Sequence, residues 1–100
     1  MSEIDKLEEY LKEAGTNYKR LDQDEKRDED GRIMQTEAHQ IIVFDEKDKR
    51  QWDAICCFGS YGYHRGLLEV MGKIVEKSGD VVGWLTAEEI INALKERRRL

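Results

Sequence analysis

The sequence predicts an α+β fold: an N-terminal helix, a small antiparallel sheet with a central hairpin, and two C-terminal helices packed on one face of that sheet. Three observations predict it. Ile4, Leu7, Leu11 and Ala14 recur at helical spacing, two strand-like runs occupy His39 to Asp45 (HQIIVFD) and Gln51 to Phe58 (QWDAICCF), and apolar residues return to helical spacing after Leu67. One hundred residues suffice for a single domain, 1–100, with one core. Because 39% of them are charged and the mean hydropathy is -0.78, that core must be economical.

The first helix is expected over residues 3 to 14, with Ser2 as N-cap and Gly15 as the stop. Tyr18 to Leu21 suits a short edge strand, since Lys19 and Arg20 discourage further pairing. Asp22 to Gly31 (DQDEKRDEDG) then sets six acids against two bases. With almost no apolar residue before Ile33 and Met34, segment 22–36 reads as a flexible acidic loop. In the hairpin, Ile41 and Val43 face one way, Ile42 and Phe44 the other. Trp52, Ala54, Cys56 and Phe58 share one face of the partner strand, and Asp53, Ile55 and Cys57 the opposite one. Leu67, Val70, Met71, Ile74 and Val75 form a stripe predicting a helix that ends near Ser78 and Gly79, with Gly72 marking the close approach of another backbone. Thr86 and Glu89 make a capping box for the last helix, Leu85 can staple to Ile90, and Ala87, Ile90, Ile91 and Leu94 form its buried stripe.

Composition narrows the function classes. No run approaches the roughly 18 apolar residues of a membrane span, and MSEIDKLEEY lacks the basic and apolar regions of a signal peptide, so a cytoplasmic protein is expected. Cys56 and Cys57 are adjacent in a strand and diverge, which disfavours a disulfide between them and fits reduced thiols. A net charge of -5 disfavours generic nucleic-acid binding. The basic run Lys95 to Arg99 (KERRR) is explained by the negative end of the last helix dipole.

Several constellations invite chemistry. Cys57, His64 and Asp53 supply the residue types of a thiol nucleophile, a base and an orienting carboxylate, but a cysteine in an apolar strand is ordinarily a small core residue with a raised pKa. His39, Cys56, Cys57 and His64 lack CxxC or HxxxH spacing. Lys26 to Glu37 (KRDEDGRIMQTE) matches a calcium-binding EF-hand loop at Asp28, Asp30, Gly31, Ile33 and Glu37, but begins with lysine. Ser78 to Glu89 (SGDVVGWLTAEE) matches at Asp80, Gly83, Leu85 and Glu89 and is expected to lie between two helices. Neither match is complete, so no catalytic residue, metal site or cofactor is assigned.

The richest segment is Gly59 to Gly66 (GSYGYHRG). Its glycines permit unusual dihedrals, and a helix N-terminus after it would receive a carboxylate or phosphate, with His64 and Arg65 as further donors. Tyr61 and Tyr63 suit either a partner surface or the closing of the sheet end. The candidate partner-binding residues are therefore Tyr61, Tyr63, His64 and Arg65, with Trp52 or Trp84 as an aromatic anchor.

The string HQIIVFDEKDKRQWDAICCFGSYGYHRGLLEVMGKIV, followed by GWLTAEEII, resembles short proteins carried by bacteriophages and prophages of Gram-positive bacteria. The resemblance covers most of residues 38 to 95, and segment 22–36 looks like an insertion. It implies a cytoplasmic accessory role during infection or lysogeny, without a substrate or catalytic residue. The expected function is a non-enzymatic module binding another protein. One alternative is an acidic nucleic-acid mimic that uses Asp22 to Asp30 to block a host protein. Another is a thiol or nucleotide-handling enzyme at residues 57–66. Monomer and homodimer are both open, the exposed edge beside Tyr18 to Leu21 being one route to pairing.

Overall fold

The computed structural model describes all of residues 1–100. Helix α1 spans Glu3–Glu13 and starts where the Ser2 hydroxyl accepts the Asp5 N–H at 3.2 Å. Its buried residues are Ile4, Leu7 and Leu11, and Gly15, at φ 69°, turns the chain away from the helix. Strands β1 (Tyr18–Gln23), β2 (Lys26–Arg27), β3 (Ile33–Gln35), β4 (Ala38–Phe44), β5 (Arg50–Cys57), β6 (Leu68–Gly72) and β7 (Val81–Leu85) follow. Helix α2 (Ala87–Lys95) closes the sequence of elements, and Thr86 and Glu89 form its capping box.

The architecture is α+β. Five strands form one antiparallel sheet in the order β1-β4-β5-β6-β7, while β2 and β3 pair with each other. Both helices lie on one face. There, Ile41, Val43, Trp52, Ala54, Cys56, Leu68 and Val70, the inward positions of the alternating strands, meet Ile4, Leu7 and Leu11 of α1 and Ala87 and Ile90 of α2 in one core. Each fully buried Leu or Ile contributes roughly 1.5–3 kcal/mol. Glu3 joins the helices: its Oε1 accepts the Ala87 N–H at 2.8 Å, which satisfies a free amide in the first turn of α2.

One of the two expected C-terminal helices is absent. Residues after Leu67 form strand β6, a turn through Ser78 and Gly79, and strand β7. The segment LLEVMGKIV satisfies both periods, and packing decides between them. Leu68 and Val70 alternate into the core opposite Leu85 and Val82, and tertiary contact overrides a short helical pattern. Gly72 sits at φ 105°, where an added Cβ would stand 2.7 Å from Gln51 O and from Trp52 Cα, so the expected backbone approach occurs at the end of a strand.

The acidic segment also differs from expectation. Residues 22–36 carry the β2–β3 hairpin as a continuation of β1 and β4, with Gln23 Nε2 donating to Thr36 O at 2.7 Å and Gln35 Nε2 to Asp24 O at 2.7 Å. Asp28 Oδ1 accepts the N–H groups of Asp30 and Arg32, both at 2.9 Å, and so builds the turn. This geometry replaces the EF-hand outline of Lys26 to Glu37. The second outline fails because Ser78 to Glu89 runs through β7 rather than between two helices.

Candidate functional site

The chain between β5 and β6 leaves the sheet at Phe58. Ser60 fixes the exit: its Oγ accepts the Cys57 N–H at 3.1 Å and donates to Cys57 O at 2.7 Å. A single 3₁₀ turn, Tyr63–Arg65, follows between Gly62 at φ 97° and Gly66 at φ 68°. At Gly62 an added Cβ would lie 2.8 Å from Leu67 Cβ and 3.2 Å from Trp84 Cα, so glycine is required for the loop to press against β7. The Tyr61 N–H donates to Glu69 Oε1 at 3.1 Å, and Tyr61 O accepts the Trp84 N–H at 3.3 Å.

Trp84 is presented by β7 at φ 60°, where the register between Leu68 and Val70 shifts against that strand. Trp84 is 56% exposed, and the Arg65 guanidinium lies 6.0 Å from the ring centroid. Phe58 is 61% exposed and meets Tyr63 edge-on at 6.0 Å and His64 at 6.4 Å, while Tyr63 and His64 meet at 5.4 Å. Tyr61 is 56% exposed. One end of the sheet thus displays three exposed large aromatic side chains, a histidine and an arginine on a backbone tied to β5, β6 and β7.

Of the sequence candidates, Tyr61, Tyr63, His64, Arg65 and Trp84 come together here. Trp52 does not. It lies in the core at the opposite end of β5, only 6% exposed, paired with Val43 and Gly72. Phe58, expected to share a face with Trp52, Ala54 and Cys56, lies exposed because β5 ends at Cys57. The Gly-Ser pair directly after Phe58 is the signal that would have exempted it from the alternation.

Beside the patch is a cleft of about 490 Å³ lined by Arg20, Glu37, His39, Cys56, Tyr63 and His64 among others. His39 Nδ1 lies 2.7 Å from Asp22 and Nε2 3.3 Å from Glu37. Arg20 bridges Asp5 at 2.9 Å, Glu8 at 3.1 Å and Asp22 at 3.0 Å. The His39 ring, then Arg20, hold the Asp22 carboxyl below its ordinary pKa. Burial, with Glu37 nearby, pushes the Cys56 thiol up, the opposite of what an attacking thiolate needs.

The catalytic groupings suggested by the sequence are not assembled. Asp53 and Cys57 are four residues apart on one strand, about 13 Å at the rise of a β-strand. The helix whose N-terminus was expected to receive an anion is a single 3₁₀ turn followed by β6. No group of three or more His, Cys, Asp or Glu side chains is placed to hold a metal ion. No helix is long and apolar enough to cross a membrane. Comparison with known proteins finds no family model, no curated protein and no solved structure that matches the chain.

Proposed function

We propose that this protein is a non-enzymatic binding module that grips another protein with the patch formed by Phe58, Tyr61, Tyr63, His64, Arg65 and Trp84. The observation carrying this reading is the exposure of Phe58, Tyr61 and Trp84 on a braced loop, Trp84 being held at positive φ beneath Arg65. Large aromatic side chains with an arginine, already ordered before a partner arrives, are the composition of interface hot spots and lose little entropy on binding. The resemblance to phage and prophage proteins adds a cytoplasmic accessory setting to the proposal.

The acidic-mimic reading has less to work with. Asp22 is engaged by Arg20 and His39, Glu25 pairs with Arg27 at 3.2 Å, and Asp28 is consumed by its own turn. Half of the six acids are thus committed within the chain.

The test is retention of partners from bacterial lysate at low and high salt by wild type, by Tyr61→Ala/Arg65→Ala, and by a variant with the acids of Asp22 to Asp30 neutralised. A specific protein lost only with the patch variant supports this reading. Loss only with the neutralised variant transfers it to charge mimicry, and no retained protein removes both.

A further inference from the structure

The end of the sheet opposite the aromatic patch gathers basic side chains. The dipole of α2 accounts for Lys95 alone, the basic residue of its last turn, whose ammonium lies 5.8 Å from the Tyr10 ring centroid. Arg97, Arg98 and Arg99 lie past the helix end, where that attraction fades. They are nonetheless held in place. The Arg97 N–H donates to Leu94 O at 3.2 Å and the Arg98 N–H to Ala93 O at 3.0 Å, the two bonds of a Schellman turn. Beyond them, the Leu100 N–H donates to Ile74 O at 2.8 Å and Leu100 O accepts the Glu76 N–H at 2.7 Å, so the tail is fastened to the segment after β6.

Arg97 is the anomaly of this turn. It sits at φ 53°, in the position and backbone conformation that glycine ordinarily supplies. A long cationic side chain is strained there, and strain of this kind gathers at functional sites. Its surroundings give it a task. Lys73, Arg97, Arg98 and Arg99 line a cleft of about 330 Å³ floored by Trp52 and Leu94, and no aspartate or glutamate lines it. Arg98 alone of the four has a carboxylate partner, Glu96. In a chain of net charge -5, three unpaired cations around an apolar floor create a local potential opposite in sign to that of the whole molecule.

We propose that this cleft binds a compact phosphate-bearing anion, the diphosphate group of a small molecule, between Lys73 and the arginine tail. One phosphate monoester carries only about -1.5 to -2, less than Lys73, Arg97 and Arg99 together would neutralise, so two linked phosphates fit better than one. Guanidinium forks take phosphate oxygens in pairs, and the apolar floor lowers the local dielectric and strengthens each contact. A long polyanion is disfavoured, because the acids elsewhere in the chain repel whatever extends beyond this end. The adjoining cleft of about 660 Å³ shares Trp52, Lys73 and Arg99 with the first, and there Arg50 is already paired with Asp53 at 3.0 Å. That mixed lining suits a neutral organic portion of the same molecule.

Calorimetric titration of the full chain with inorganic diphosphate, ADP and adenosine at low salt tests the site, with circular dichroism confirming that each variant is folded. Wild type is expected to bind diphosphate with a Kd below about 1 mM and to bind adenosine far more weakly. Arg97→Gly keeps the left-handed backbone and removes the guanidinium, so it should weaken diphosphate binding at least about tenfold without lowering the melting temperature. Lys73→Met should weaken it comparably, whereas Arg32→Gln, an exposed cation in the β2–β3 turn, should change nothing. ADP bound more tightly than diphosphate assigns the group to a nucleotide lying across both clefts, and ADP bound no more tightly assigns it to free diphosphate. Diphosphate binding weaker than about 1 mM overturns the proposal, as does an affinity indifferent to Arg97→Gly or to Lys73→Met. Adenosine bound as well as ADP, or a short single-stranded DNA bound more tightly than both ADP and diphosphate, overturns it too.

Discussion

Gly72 and Trp52 are in backbone contact across β5 and β6: a Cβ added to the glycine would lie 2.7 Å from the tryptophan Cα, and its φ is 105°. Both conditions exclude any other residue without a shift of one strand. Gly72→Ala is therefore expected to destabilise the protein by about 2 kcal/mol or more, combining strain at positive φ with overpacking. Urea unfolding checks this, and a loss below about 0.5 kcal/mol would show that the strand end yields freely.

Glu3 links the two helices through the Ala87 N–H, and that bond is the first cause of its lowered pKa, followed by Lys6. Glu3→Ala should cost about 1–2 kcal/mol, since it strands an amide in the first turn of α2. Glu3→Gln, which retains an acceptor oxygen, should cost less. Equal losses would mean the amide finds water instead.

Acid should weaken the fold through three carboxylates with lowered pKa values. Asp5 is lowered by the Ser2 hydroxyl and then Arg20, Asp22 by His39 and then Arg20, and Glu3 by the Ala87 amide. A carboxyl with a depressed folded-state pKa adds stability that is fully present above its unfolded value and disappears as pH falls through the folded value. With ordinary values of 3.8 for Asp and 4.5 for Glu, stability should hold down to about pH 5 and decline below that. Asp5 and Asp22 are about half-exposed, so each contributes under about 1 kcal/mol. Arg20→Met should flatten the acid limb in a series of melts from pH 6 to 3. An unchanged slope would remove Arg20 from the account.

The two tryptophans should report separately. Trp52 is buried and Trp84 exposed, so acrylamide should quench a red-shifted component that Trp84→Phe abolishes, leaving a blue-shifted one. Arg65→Ala should increase the quenching of Trp84 by uncovering its ring. A single unquenched component in wild type would place Trp84 inside.

Much of this architecture was legible wherever one local signal matched one structure. Ser2, Gly15, Thr86 and Glu89 bound α1 and α2, and the alternation through Ile41 to Phe44 and Trp52 to Cys57 set the faces of β4 and β5. It failed where two signals coincided. Leu67 to Val75 reads as helix because Leu67, Val70, Met71, Ile74 and Val75 fall on one helical stripe, yet Leu68 and Val70 face the core from strand β6 and Ile74 and Val75 enter it from the turn that follows. The β2–β3 hairpin was illegible for a different reason: its strands are exposed and braced by side-chain bonds from Gln23 and Gln35 to backbone carbonyls, which leave no hydrophobic trace. Five of the six candidate residues lie together because tyrosines, an arginine and a tryptophan fall near glycines that fold the loop against β7. Trp52 was misplaced because indole alone does not tell an anchor from a core residue.

The Glu3 to Ala87 bond spans 84 positions of sequence, and α1 completes its burial only beside α2. During synthesis the first helix emerges before Leu68, Val70, Leu85, Ala87 and Ile90, which share its core. A nascent chain halted before residue 87 would therefore leave Ile4, Leu7 and Leu11 covered by the sheet alone, and the core is completed only when α2 is made.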